Sequence, residues 1–149
     1  MSISIATVLG KQVRLALGVM LAVGAGATVS AMECGARVAD GVRVAFGEAI
    51  YVKFKLEPAP PALGDLFVVK ALVCSRAHAR LDGMLSADAV MPAHGHGMNY
   101  AVKTSAAVNG AAMLEGFLWQ MPGLWRMQFR LEAVGATYRA AYDYEFAAH

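Results

Sequence analysis

Charge is scarce in this chain and has no dominant sign: only 16% of its 149 residues are Asp, Glu, Lys or Arg, with 13 basic against 11 acidic. Backbone binding to nucleic acid needs concentrated Lys and Arg, so no nucleic-acid partner is expected. An electrostatic funnel for acidic substrates is excluded on the same ground. Cysteine is nearly absent as well. The two present, Cys34 and Cys74, form no Cys-x-x-Cys unit, which leaves no local motif for thioredoxin-like redox chemistry or a two-cysteine metal hook. Glu48, Glu57, Asp65, Asp82 and Asp88 are scattered, without the paired spacing that specifies glycosidase or two-metal chemistry. The serines make no nucleophile elbow and the glycines no phosphate loop, so no enzyme is expected.

Apolar residues are what the chain has instead, at 58%, too many for disorder, in a length that fits one compact domain. The first apolar run, Leu15 to Val29, follows Lys11 and Arg14 and ends in Val29-Ser30-Ala31. A basic start, an apolar stretch and a small-residue end read as a secretion signal, so residues 1–31 are expected to form a signal helix cleaved after Ala31. Ala25-Gly26-Ala27 offers a second cleavage point. A retained membrane anchor stands beside cleavage, because Leu15 to Ala31 falls near the lower length of a spanning helix. Ala31-Met32-Glu33 before Cys34 does not make a lipoprotein acylation signal. Residues 1–31 hold Lys11, Arg14 and no acidic side chain, so the remaining 118 residues, 32–149, carry 11 basic and 11 acidic groups. The expected product is a neutral domain, periplasmic or otherwise extracytoplasmic, and membrane-anchored if the segment stays. There an oxidising milieu lets Cys34 and Cys74 pair and tie the amino end to the strand region; two buried free thiols are the alternative.

Short β-rich runs recur at 41–46, 50–56, 65–74, 79–89, 100–107, 111–118, 124–133 and 137–146, separated by glycine, proline or asparagine. In the second run Val52, Phe54 and Leu56 share one face and Tyr51, Lys53 and Lys55 the other, and the former face is expected to enter a sheet-on-sheet core. Trp125, Met127, Phe129 and Leu131 alternate in the same way with Arg126, Gln128 and Arg130. The Glu57-Pro58-Ala59-Pro60-Pro61-Ala62-Leu63-Gly64 stretch is a rigid turn, since proline fixes φ and restricts its predecessor. With no helical run of ten or more residues after the signal, a parallel βαβ fold is disfavoured. The expected fold is all-β: a small antiparallel immunoglobulin-like β-sandwich of seven or eight strands.

The densest chemistry lies in Met91-Pro92-Ala93-His94-Gly95-His96-Gly97-Met98-Asn99-Tyr100. If this segment is extended, His94 and His96 point to one face, and Gly95 and Gly97 leave room for close backbone approach. Imidazole and thioether suit copper, methionine favouring Cu(I). Phe117-Leu118-Trp119-Gln120-Met121-Pro122-Gly123-Leu124-Trp125 holds a Met-Pro-Gly turn between two tryptophans. Were Met121 to approach the histidine loop, His94, His96 and Met121 would make a three-ligand site, with Met91 or Met98 as a longer fourth contact. The opposing reading gives each imidazole a backbone partner, makes the tryptophans packing residues and Met121 a gap filler, and has Gln120 bond to the turn. His78 and His149 are expected at the surface.

Leu63-Gly64-Asp65 leading into Phe67, Met91-Pro92-x-His94-Gly95-His96-Gly97-Met98, and Met121-Pro122-Gly123-x-Trp125 together resemble the YtkA-like domain family of exported bacterial proteins. That group of small β-sandwiches is similar in appearance to FixH-like domains. The resemblance spans roughly Ala49 to Phe146 and implies a β-sandwich with, in some members, copper-linked roles. Such sequences often carry histidine immediately before the second Met-Pro-Gly, where this chain has Gln120, an amide and a poorer ligand. The swap shifts the expected site toward His94, His96 and methionine sulfur.

Two functions follow. The first is a non-enzymatic domain that binds or senses copper and assists metal handling or delivery to a membrane cuproprotein, with Gly95, Gly97, Asn99, Tyr100, Gln120 and Trp125 around the ligands. The second is a metal-free interaction or assembly domain for another periplasmic protein, its loop glycines and tryptophans forming a rigid docking edge.

Overall fold

The computed structural model describes residues 32–35 and 41–147; the expected signal segment and His149 lie outside them. The strands are β1 Val42–Phe46, β2 Ile50–Glu57, β3 Leu66–Ser75, β4 Gly83–Met91, β5 His96–Gly97, β6 Ser105–Ala107, β7 Ala111–Leu118, β8 Gly123–Ala133 and β9 Ala136–Phe146. They form two antiparallel sheets. The first runs β1-β2-β3-β7; the second runs β5-β4-β8-β9, with β6 also paired to β4. All belong to one compact unit, Ala31–His149. Eight of the nine strands match the expected runs; the ninth is the two-residue β5, formed where the histidine segment turns back on β4. The fourth run starts late, at Gly83, and the fifth shrinks to Ser105–Ala107. Gly83 lies so close to β8 that a Cβ would meet the Glu132 carbonyl at 2.6 Å, so only glycine permits this pairing.

The core follows from strand alternation. Val52 and Phe54 of β2, Val69 and Val73 of β3, and Leu114 of β7 are buried against Leu85 and Ala89 of β4 and Trp125, Met127, Phe129 and Leu131 of β8. Phe54 of the first sheet meets Phe129 of the second at 5.0 Å between ring centres and Tyr142 at 5.5 Å. The two sheets therefore pack face to face, the arrangement of a β-sandwich. On the second sheet's outer face, Arg126 makes a two-point ion pair with Asp143, 2.6 and 2.7 Å, which holds the Asp143 carboxyl below the usual range.

The other face of β2 is covered as well. Tyr51 and Lys53 are only 2% and 3% exposed, because residues 32–35 lie across them. A Cys34–Cys74 disulfide holds this strap, with Cα atoms 5.8 Å apart. The Tyr51 hydroxyl accepts the Gly35 N–H at 3.1 Å and bonds His78 Nδ1 at 3.0 Å. The Lys53 ammonium donates to the Glu33 carbonyl, and Arg80 donates to the Met32 carbonyl at 3.1 Å. Met32 and Cys34 thus pack on a second small apolar cluster of Tyr51, Leu72 and Cys74. Burial, then the nearby Arg43 charge, pull the Lys53 ammonium below its ordinary pKa, while Glu33 opposes them. His78 is exposed, as expected, yet it is engaged with Tyr51 rather than idle.

Candidate metal centre

β4 ends at Met91, and a tight loop returns the chain as β5, with Met91 opposite His96 and Val90 opposite Gly97. The Met91 carbonyl accepts the N–H groups of His94 at 3.1 Å and Gly95 at 3.0 Å. Pro92 presets the first turn position, and Gly95 takes the left-handed conformation at φ +67° that closes the hairpin. The extended geometry expected for this segment therefore holds only at His96–Gly97. His94 sits exposed at the loop tip while His96 is half-buried on β5. Their rings converge nonetheless, with centres 5.7 Å apart. Two imidazoles sharing one ion through metal–nitrogen bonds of about 2.0 to 2.1 Å stand with ring centres about 5 to 6.5 Å apart.

His96 Nδ1 lies 3.1 Å from the Gly97 carbonyl. A carbonyl can only accept, so that bond places the proton on Nδ1 and leaves the Nε2 lone pair for a ligand. An Nδ1–H held by a backbone carbonyl is a common way to orient a metal-binding imidazole. The His96 ring also meets Trp125 edge-on at 6.2 Å.

The second motif reaches the same end of the sheets. Gly123 starts β8 at φ +126°, and a Cβ there would lie 2.9 Å from the Met91 methyl, so the Met-Pro-Gly turn sits directly on Met91. Trp125 Nε1–H donates to the Met121 carbonyl at 3.0 Å and pins the turn. The histidine hairpin and the Met121 turn are thus neighbours, joined through Met91–Gly123 and His96–Trp125.

The candidate ligands differ in standing. Met91 is 2% exposed and fills the space beneath Gly123, the packing use of methionine. Met98 and Met121 are partly buried and packed against the core. Two imidazoles joined by methionine sulfur would make a donor set that suits Cu(I) better than zinc. Among the described residues no three His, Cys, Asp or Glu side chains converge into a metal cluster. Asn99 and Tyr100 lie exposed in the bend after β5. The Gln120 amide nitrogen is buried without a partner among the described residues, so it does not tie the turn.

Sequence reasoning missed an aromatic stack behind this hairpin. Trp125 lies 5.0 Å from Trp119, which stacks at 5.6 Å and 19° on Tyr144 and meets Phe67 at 4.8 Å. Both indoles are fully buried, and Trp119 Nε1 has no hydrogen-bond partner among the described residues. Burial, then Tyr142, push the Tyr144 phenol up. The alternation of β9 puts Tyr138, Tyr142 and Tyr144 on one face, but nothing in the sequence registers Tyr144 against Trp119. Compared with known proteins, the chain matches no family model, no curated protein and no solved structure.

Proposed function

We propose that this chain is an exported, non-enzymatic immunoglobulin-like domain of the YtkA-like kind that binds or senses copper and assists its handling, including delivery to a membrane cuproprotein. The observation that carries this reading is the 5.7 Å ring separation of His94 and His96, with the His96 proton fixed on Nδ1 by the Gly97 carbonyl. Met121 and Met98 then supply soft sulfur beside two nitrogens. The immunoglobulin-like reading draws support from topology. β3 lies beside β7 and β4 beside β8, with the chain crossing between sheets from β3 to β4 and from β7 to β8, as in a Greek-key core. The disulfide departs from that pattern, since it ties a strap to one sheet instead of joining the two. An oxidised Cys34–Cys74 pair fits the extracytoplasmic location that the signal-like leader implies.

The second reading, a metal-free docking edge, is favoured by one observation. Met91 is committed to packing, and the hairpin is already held by its own backbone bonds, so the loop keeps its shape without an ion. Tryptophan emission separates the two. Both indoles of the chain sit in the stack beside His96, so one equivalent of Cu(II) is expected to quench most of the fluorescence of the wild type and little of that of His96→Ala. Equal weak quenching of both proteins contradicts the copper reading and leaves the docking edge.

A further inference from the structure

We propose that Trp125, Trp119 and Tyr144 form a relay that carries one-electron oxidising equivalents away from the His94–His96 loop to the clefts beside Pro60. The proposal rests on the copper reading for its input end; its geometry does not. From loop to cleft, His94, His96, Trp125, Trp119 and Tyr144 follow one another at ring separations of 5.7, 6.2, 5.0 and 5.6 Å. The path ends at Tyr144, which is half-buried and lines two clefts, of about 340 Å³ with Phe54, Leu56 and Pro60 and about 400 Å³ with Pro61, Leu63 and Phe146.

The hydrogen bonding of the two indoles decides the direction. An oxidised indole that loses its N–H proton becomes a weaker oxidant and traps the charge. Trp125 Nε1–H faces the Met121 carbonyl, which accepts a hydrogen bond but not a proton at ordinary pH. Trp119 Nε1–H faces no partner among the described residues. Both rings are shut off from water, so each radical cation keeps its proton and remains able to oxidise a phenol. Tyr144, at the cleft, can pass its proton to solvent, and that makes the last step downhill.

The electrons balance with two external reactants, a peroxide and a small thiol. Copper(I) held by His94 and His96 would give peroxide one electron, splitting it into hydroxide and hydroxyl radical. Trp125 would supply the next electron across the intervening His96 ring, reducing the hydroxyl radical to a second hydroxide. Trp119 refills Trp125, and Tyr144 refills Trp119 while its phenolic proton goes to water. In the cleft, the thiol returns a hydrogen atom to the Tyr144 phenoxyl radical and leaves as a thiyl radical. Without the relay, the same oxidant would attack His94, His96 and the nearby thioethers.

The test replaces copper with light. A ruthenium photo-oxidant is attached to the full chain through Ala93→Cys, at the loop tip, the native cysteines being bonded to each other. After flash-quench oxidation, transient absorption is expected to show an indole radical that decays as a phenoxyl radical grows. In Tyr144→Phe the phenoxyl signal is expected to vanish and the indole radical to persist. In Trp119→Phe the phenoxyl signal is expected to vanish, and circular dichroism of that variant verifies its fold. An undiminished phenoxyl signal in Tyr144→Phe, whose fold a single hydroxyl does not support, overturns the relay. Because no copper is present, that failure is distinct from failure of the copper reading.

Discussion

Replacing Cys34 and Cys74 together with alanine is expected to lower the unfolding free energy by about 4 kcal/mol, the chain-entropy value for a loop of this length. The sequence separation is 40 residues, so the unfolded chain recovers much freedom once the link is gone. The folded state loses as well. Without the tether, the strap is held by the Gly35–Tyr51 bond, the Lys53–Glu33 contact and the Arg80–Met32 bond, and its release bares Tyr51 and Lys53 to water. Urea unfolding of the double variant beside the wild type measures the loss. A midpoint shift equivalent to under about 1 kcal/mol would show that the strap's own contacts, rather than the covalent link, hold it.

Phe129→Ala is the second large effect, expected to cost about 3 to 5 kcal/mol. Phe129 is 2% exposed and stands between the sheets against Phe54, so truncation removes apolar contact and leaves a space that two hydrogen-bonded sheets cannot easily close. Set against a typical stability of about 5 to 15 kcal/mol, the loss is a large share of the whole. Thermal and urea unfolding give its size. Phe129→Leu, which refills most of the volume, is expected to lose clearly less. The disulfide acts on the outer face of the first sheet and Phe129 between the sheets, so the two losses are expected to add when combined.

Strand positions were legible because burial follows side-chain alternation. Val52, Phe54 and Leu56 and the Trp125-to-Leu131 set lie in the core where period two puts them. The burial of Tyr51 and Lys53 was not legible for a physical reason: alternation separates the more apolar face from the less apolar one, but cannot reveal that residues 32–35 cross the latter. The Cys34–Cys74 pair was the available signal, because a bridge to Cys74 brings the strap to Tyr51, its register partner on β2. At the site, the residue types were legible and their geometry was not. His94 and His96 come together through a proline-led hairpin turn instead of an extended run, and Met91 is taken up by packing under Gly123. The Trp119–Tyr144 stack depends on sheet-to-sheet placement, which no local pattern encodes.

The copper reading stands on two imidazoles, and the affinity of the chain for Cu(I) tests it most directly. An anaerobic titration in competition with a Cu(I) chelator, on the tag-free protein and on His94→Ala, His96→Ala and Met121→Ala, is expected to show one tight site in the wild type. Loss of either imidazole is expected to weaken that site by at least about tenfold, the equivalent of about 1.4 kcal/mol, and Met121→Ala to weaken it less. The same weak binding in the wild type and all three variants would contradict the account.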